Sequence, residues 1–477
     1  MLSIFTNGVY GILDILLVGW ALGLLWLARC AVRLPGDLSK KAAGFLTEEK
    51  YLFGGWGDEL RGKIGSWLFL VAVLALQFDT FFLNSLVRET AGAWYGPLSQ
   101  AVELLYLWAI LLKMLLFTRY SGRQLAVGFC FFFVFRWVFI NNHSFWMILG
   151  ILFALAAKDA PLRRTLKAGL AVSTACFAAV VLGSLAGLIP TLQIAAPAGA
   201  GRPRDSFGYG WYNMTGAVLL GICLMYICWR QIKNLKWWDF VLLVGALVFC
   251  DQGPDSRAAT VCIALIIALA GMLRLVPKVM NIYCVRMLAC AIPVISFCVS
   301  LLGGMLYNSS NRFWTQLDAL FSGRLSLANE AISQTQIAIA GQQLAGKDFL
   351  VDNFYAYLWI YGGPVASLLL WGSVAVLLWR LIKNGAATES ACVIVMLAHA
   401  FMEGHFAWPC INVCLWLLYG VLYLLSQNRT PGFAPKKNGY EACRRRYSGP
   451  CERGQNDLKR SVALSGRVVE KGRTGGS

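Results

Sequence analysis

Three histidines in 477 residues leave little from which to build a catalytic zinc site, and no His-Glu-x-x-His pattern occurs. Charge is scarce as well. Asp, Glu, Lys and Arg make up 14% of the chain, against about 25% in ordinary soluble domains. No Lys or Arg precedes Arg29 and no small-residue cleavage site follows the first apolar run, so the pattern of a removable signal peptide is missing. No internal repeat is visible, which weighs against an inverted-repeat transporter. Cysteine is not lacking, but the fifteen lie mostly singly inside apolar runs, as at Cys130, Cys176, Cys223, Cys262 and Cys298, where they act as small hydrophobes. Cys443 and Cys451 have no nearby histidine and match no zinc spacing, so neither a metal nor a cofactor is expected.

What the chain has in abundance is apolar length. Hydrophobic residues are 58% of it and the mean hydropathy is +0.61. Apolar runs of helical character fall at 8–32, 66–87, 101–118, 125–140, 145–157, 168–189, 212–229, 238–250, 258–273, 287–307, 354–379, 390–407 and 411–426. Several are shorter than the roughly 20 residues of a straight span, and 145–157 reads as the weakest and a candidate re-entrant segment. The class is therefore an all-α, polytopic integral membrane protein with about 12–13 transmembrane helices. A transmembrane domain covers 1–426, with one long external loop at 308–353. A basic tail at 427–477, rich in Gly, Arg, Lys and Ser, has no apolar face and reads as a disordered extension.

The net charge of +18 follows topology rather than a nucleic-acid groove, so no nucleic-acid partner is expected. Alternate connectors hold twenty Lys and Arg, including Arg61, Lys63, Arg119, Lys158, Arg164, Arg230 and Arg274. The opposite connectors hold seven: Arg88, Arg202, Arg204, Arg257, Arg312, Arg324 and Lys347. By the positive-inside rule the N-terminus and the 308–353 loop lie outside, and the tail lies in the cytoplasm.

Arginine on the side that topology disfavours points to a task, because a guanidinium grips phosphate in bidentate fashion. Arg202 and Arg204 precede Asp205-Ser206-Phe207-Gly208-Tyr209-Gly210-Trp211-Tyr212-Asn213. Arg257 opens a helix after Asp255-Ser256, and Arg324 sits in the long loop. The alternative for each is a surface or snorkelling arginine. Trp211, Tyr212, Trp314, Phe354 and Tyr355 lie near these arginines in sequence. Asp14, Asp79, Glu103, Arg136 and Glu403 fall inside expected spans, where ionisable groups face a cavity or a partner. Lys113 and Asp239 are expected to snorkel from inner helix ends. His399 and Glu403, four apart, would share one helix face.

Taken in order, Arg-x-Arg-x-x-x-Gly-Tyr-Gly-x-x-Asn-x-x-Gly at 202–216, Ser256-Arg257, Ser322-Gly323-Arg324, Asp352-Asn353-x-Tyr355, Tyr361-Gly362-Gly363, Glu403 and Asn412 resemble the O-antigen polymerase and ligase family, Wzy-type polysaccharide polymerases in particular. The resemblance covers about residues 200–425. It implies a metal-independent, inverting glycosyltransferase at the outer face of the bacterial cytoplasmic membrane. Such an enzyme moves a glycan from undecaprenyl diphosphate to a hydroxyl of a second lipid-linked glycan, building capsule, exopolysaccharide or O-antigen. It also implies undecaprenyl-diphosphate-linked oligosaccharide and membrane lipid as partners, with a chain-length regulator as a further candidate. By the same resemblance Arg257 and Arg324 would hold the diphosphate, and Arg202 or Arg204 would assist. Asn213 and Asn353 would position the ends of the polar segments, and Tyr355 would join the substrate-binding set. The ligase branch carries His-Asn where this chain has Asp352-Asn353, which favours a polymerase. The base stays open between Asp352 and Glu403. The rival readings are the ligase, a flippase or transporter of lipid-linked sugar, and a polytopic scaffold.

Overall fold

The computed structural model describes residues 48–422 except 53–56, 143, 195–202, 322, 340 and 343–350. The expected span at 8–32, Asp14, Arg202, Ser322 and the 427–477 tail lie outside the described residues.

The first described helix, α1 (Asp58–Phe78), opens with Asp58 and Glu59, which suit the positive end of the helix dipole, and runs on through a π-turn at Asp79–Leu83. It is followed by α2 (Tyr95–Leu116), α3 (Gly122–Asn142), α4 (Phe145–Ala156), α5 (Leu162–Leu185) and α6 (Tyr212–Arg230). Next come α7 (Trp237–Gln252), α8 (Arg257–Leu275) and α9 (Tyr283–Leu306). The polar stretch after α9 holds two short helices, α10 (Arg312–Leu320) and α11 (Arg324–Ser333). The last pair is α12 (Gly363–Lys383), entered through a helical turn at Phe354–Tyr357 and a π-turn, and α13 (Ala387–Met402).

Among the described residues eight helical segments are long and apolar enough to cross a membrane, and the protein is a multi-pass all-α membrane protein. Their outer faces are apolar: Met287, Leu288, Val294, Ile295, Val299 and Leu302 of α9 are all exposed. That pattern suits a helix whose solvent is lipid.

The interior is built from shorter pieces. Every residue of α4 from Met147 to Ala156 is buried. A helix apolar on all sides belongs inside a protein, and twelve residues reach only about 18 Å. The expected last span at 411–426 is described as far as 422 and does not begin as a regular α-helix. Its described part is a 3-10 turn at Val413–Leu418 followed by a single helical turn at Tyr419–Leu422. The correction has a simple cause: an unbroken apolar run reads the same whether lipid or other helices surround it. Here Gly150 of α4 lies so close to Ala407 that an added Cβ would sit 2.7 Å from its carbonyl oxygen, and Trp146 stacks on Trp408 at 4.1 Å. Irregular backbone inside a bundle needs other groups to satisfy its carbonyls, and two of them here have side-chain donors. Asn412 donates through Nδ2 to Phe406 O at 2.9 Å, and Gln77 donates to Cys410 O at 3.1 Å.

Connectors assigned by charge to one side do meet each other. Residues 50–51 pair with 119–120, Lys158 forms an ion pair with Glu49 at 3.3 Å, and Lys113 donates to Lys158 O at 2.6 Å. Lys113 therefore does not snorkel; it is buried with its ammonium spent on backbone and Thr118. Asp239 caps the start of α7 and pairs with Arg230 at 3.1 Å rather than reaching outward. At the opposite end Leu86 N donates to Gly208 O at 2.7 Å, and the 204 and 255 connectors are joined by an ion pair.

Candidate functional site

Three segments distant in sequence converge on Arg324. Gly323, with φ of 84°, takes the left-handed conformation that a side chain would resist, and so turns the chain from α10 into α11. Asp318 secures that turn: its Oδ1 accepts from Leu325 N at 2.8 Å and Ser326 N at 3.1 Å. These are orphan donors at the start of a helix, and a carboxylate there also complements the dipole. Arg324 is thereby held as the first residue of α11.

Its guanidinium reaches two carboxylates and a helix end. Nη2 lies 3.0 Å from Glu403 Oε1 and 3.1 Å from Asp352 Oδ2, while Nε donates to Met402 O at 3.1 Å. The last contact satisfies a free carbonyl at the C-terminus of α13. Glu403 is not on the helix face of His399. It follows the end of α13 in extended backbone (φ −145°, ψ 149°), and this aims its carboxyl at Arg324.

Asp352 is positioned by its neighbours. Asn353 caps the turn that leads into α12, accepting from Tyr355 N at 3.0 Å and Ala356 N at 3.3 Å, and donates to Ser300 Oγ of α9 at 3.0 Å. Tyr355 stacks on Trp371 at 4.2 Å and donates through its hydroxyl to Leu397 O at 3.1 Å. Both residues are buried, and Tyr355 is fully so. Their polar groups are used in holding Asp352 against α9 and α13, and for Asn353 this is the positioning of a segment end that the resemblance implies.

The two carboxylates differ in exposure, 23% for the Asp352 side chain and 5% for Glu403. Burial pushes Glu403 up to about 8; Asp352 beside it adds to the rise and Arg324 opposes it. Asp352 is also raised, by burial first, with Arg324 pulling the other way. Glu403 is thus the more deeply buried and the more strongly raised of the two, and Asp352 is the more open one.

A second cluster lies at the starts of α6 and α8. Arg204 donates through Nε to Asp255 Oδ2 at 2.9 Å and through Nη1 to the Tyr212 hydroxyl at 2.8 Å. Phe207 and Asp255 both hold positive φ (47° and 52°), which marks two tight turns facing this end. Gly216 lets α6 meet α8, since a Cβ would come within 2.5 Å of Ser256 Cβ and 2.8 Å of Ala259 Cβ. Asn213, one turn nearer the mouth, is buried; Arg257 is exposed and has no ion-pair partner among the described residues.

Helix geometry relates the two clusters. Cys262 Sγ of α8 lies 3.9 Å from Val395 O of α13. From that level Arg257 is five residues, or about 7.5 Å, along α8, and Glu403 eight residues, or about 12 Å, along the antiparallel α13. Both ends point the same way. Of the expected site residues, the structure joins Arg324, Asp352 and Glu403 directly, sets Arg257, Arg204 and Asn213 at the same end, and places Asn353 and Tyr355 in support. Sequence reasoning missed Asp318 and Ser300. An acid shortly before a Gly-Arg helix start was a visible signal for the first; the second had none, since its partner is 53 residues away.

The fold and site define a polytopic α-helical membrane protein with a guanidinium–carboxylate cluster where three chain segments meet. No family model, curated protein or solved structure matches the chain.

Proposed function

We propose that the chain is a polysaccharide polymerase joining undecaprenyl-diphosphate-linked repeat units at the outer face of the bacterial cytoplasmic membrane. The observation that carries this reading is the Arg324–Asp352–Glu403 cluster, with a second arginine, Arg257, at the same end and without a carboxylate partner among the described residues. A guanidinium already paired with carboxylates is suited to exchange one of them for a diphosphate oxygen.

In this mechanism the acceptor hydroxyl oxygen attacks the anomeric carbon of the donor sugar. The bond from that carbon to the diphosphate oxygen breaks, and its electron pair leaves on the diphosphate. Arg257 and Arg324 stabilise the charge that builds there. Asp352, the more exposed carboxylate, accepts the hydroxyl proton once the diphosphate has drawn Arg324 from it. Glu403, protonated and buried, keeps hold of Arg324 and supplies no base. The donor set requires no metal for these steps.

One observation favours a second reading. The interior pieces α4, α13 and the 3-10 turn are short segments inside the bundle, and discontinuous helices are a construction that secondary transporters also use. The deciding experiment incubates purified protein in liposomes with one lipid-linked repeat unit and a chelator. A ladder of longer lipid-linked glycans, absent for Arg324→Ala, supports the polymerase. Transfer only after a second acceptor is added would make the protein a ligase. Movement of the lipid-linked sugar across the bilayer without any new glycosidic bond would make it a transporter.

A further inference from the structure

Far from that cluster in the chain, a groove of about 330 Å3 opens between the first turns of α1 and α5. The two helices run parallel: Gly169 packs on Val73, and one turn further on Ser173 Oγ donates to Gln77 Oε1 at 2.9 Å. Both N-termini therefore open at one end, the end where the Lys- and Arg-rich connectors meet. Their dipoles place partial positive charge at that mouth.

The lining adds to it. Lys63 and Arg164 both face the groove, and the Arg164 guanidinium lies 5.2 Å from the centroid of the Trp67 ring. Glu59 is the one carboxylate in the lining, already paired with Lys63 at 2.7 Å, so one cation remains in excess. Thr165 also lines the groove, yet it is fully buried and its Oγ1 has no hydrogen-bond partner. Helix hydroxyls ordinarily return to the carbonyl one turn back, as Ser66 does to Gly62 O at 2.7 Å and Ser173 to Gly169 O at 2.8 Å. For Thr165 that carbonyl, Pro161 O, already accepts from Arg164 N at 2.9 Å and Thr165 N at 3.1 Å. A buried hydroxyl left unpaired costs free energy that an anionic oxygen would recover. Deeper along α1 the lining turns apolar, with Trp67 and Leu70.

We propose that this groove binds the phosphate of an anionic phospholipid. Arg164 and Lys63 contact the phosphate oxygens, Thr165 Oγ1 donates to one of them, and an acyl chain runs along Trp67 and Leu70. The apolar continuation selects a lipid over free phosphate, and basic pockets between transmembrane helices are where anionic headgroups settle.

The test uses full-length protein stripped of lipid in detergent. It is titrated separately with phosphatidylglycerol, phosphatidylcholine and inorganic phosphate, and bound lipid is counted by native mass spectrometry. Thr165→Val keeps the side-chain shape and Arg164→Gln most of its length, so packing is retained. Wild type should hold one phosphatidylglycerol that neither phosphatidylcholine nor phosphate displaces. Each variant should bind it roughly tenfold more weakly, the worth of one charge-assisted hydrogen bond. Arg163→Gln, outside the groove, should leave binding unchanged. Equal retention by wild type and both variants would overturn the site, and displacement by inorganic phosphate alone would overturn its assignment to lipid.

Discussion

Replacing Glu403 with Gln gives a sharp check on the electrostatics of the cluster. The side chain keeps its shape, and its amide oxygen can still accept from Arg324 Nη2, now 3.0 Å from Glu403 Oε1. What disappears is a proton that the folded protein holds and the unfolded chain releases. Glu403 rises from 4.5 to about 8 in the fold. Between those two values the native state binds more protons than the unfolded state, so stability falls as pH rises, and it levels off above about 8. At about 1.4 kcal/mol per unit the whole window amounts to roughly 5 kcal/mol, a ceiling. Asp352 contributes with the same sign, because its carboxyl is raised too. The assay is thermal unfolding of detergent-solubilised protein, followed by intrinsic fluorescence from about pH 5 to 9. Wild type should lose Tm steadily as pH rises, and Glu403→Gln should be much flatter, with its largest advantage at the alkaline end. Parallel curves for the two proteins would refute the assignment of the buried proton to Glu403.

Gly216→Ala should destabilise by about 1–3 kcal/mol through overpacking against Ser256 and Ala259. Its Tm should not be rescued by Ser256→Ala, because Ser256 Cβ and Ala259 Cβ both remain in the way. Asn353→Ala should lose about 1 kcal/mol for the cap and more for the Ser300 contact, whereas Asn353→Asp should keep the cap and lose only the donor; the order of their Tm values checks this. Arg324→Lys should be as inactive as Arg324→Ala in the ladder assay, since an ammonium cannot span Met402 O and two carboxylates. A reporter inserted within 330–345 should be found outside the cell and one after 430 inside; the reverse would put the cluster on the wrong face for the proposed reaction.

Much of the fold was legible in the chain because lipid makes simple demands. Helical runs such as 168–189, 212–229, 258–273 and 287–307 reappear as α5, α6, α8 and α9 with modest shifts at their ends. The alternation of basic connectors foretold which loops would lie together. The candidate site was legible in part, through arginines standing where topology disfavours them. The pairing itself was hidden: nothing local in sequence says that Arg324 should meet Asp352 and Glu403, the second of which lies 79 residues away.

By itself, then, the sequence determined the class and the end of the bundle on which the unusual charges gather, while its expectation of about 12–13 spans compares with eight long apolar helices among the described residues. Class and end follow from hydrophobicity and charge summed over segments, and they hold whatever packs against what. The tertiary structure decided which apolar runs face lipid and which, like α4 and 413–418, fill the interior. It also decided that Asn353 and Tyr355 brace the cluster from behind, that Glu403 leaves its helix to reach Arg324, and that Thr165 is buried without a partner. Those outcomes depend on contacts between segments far apart in the chain, where burial sets the cost of each unpaired polar group, and no local pattern records that cost.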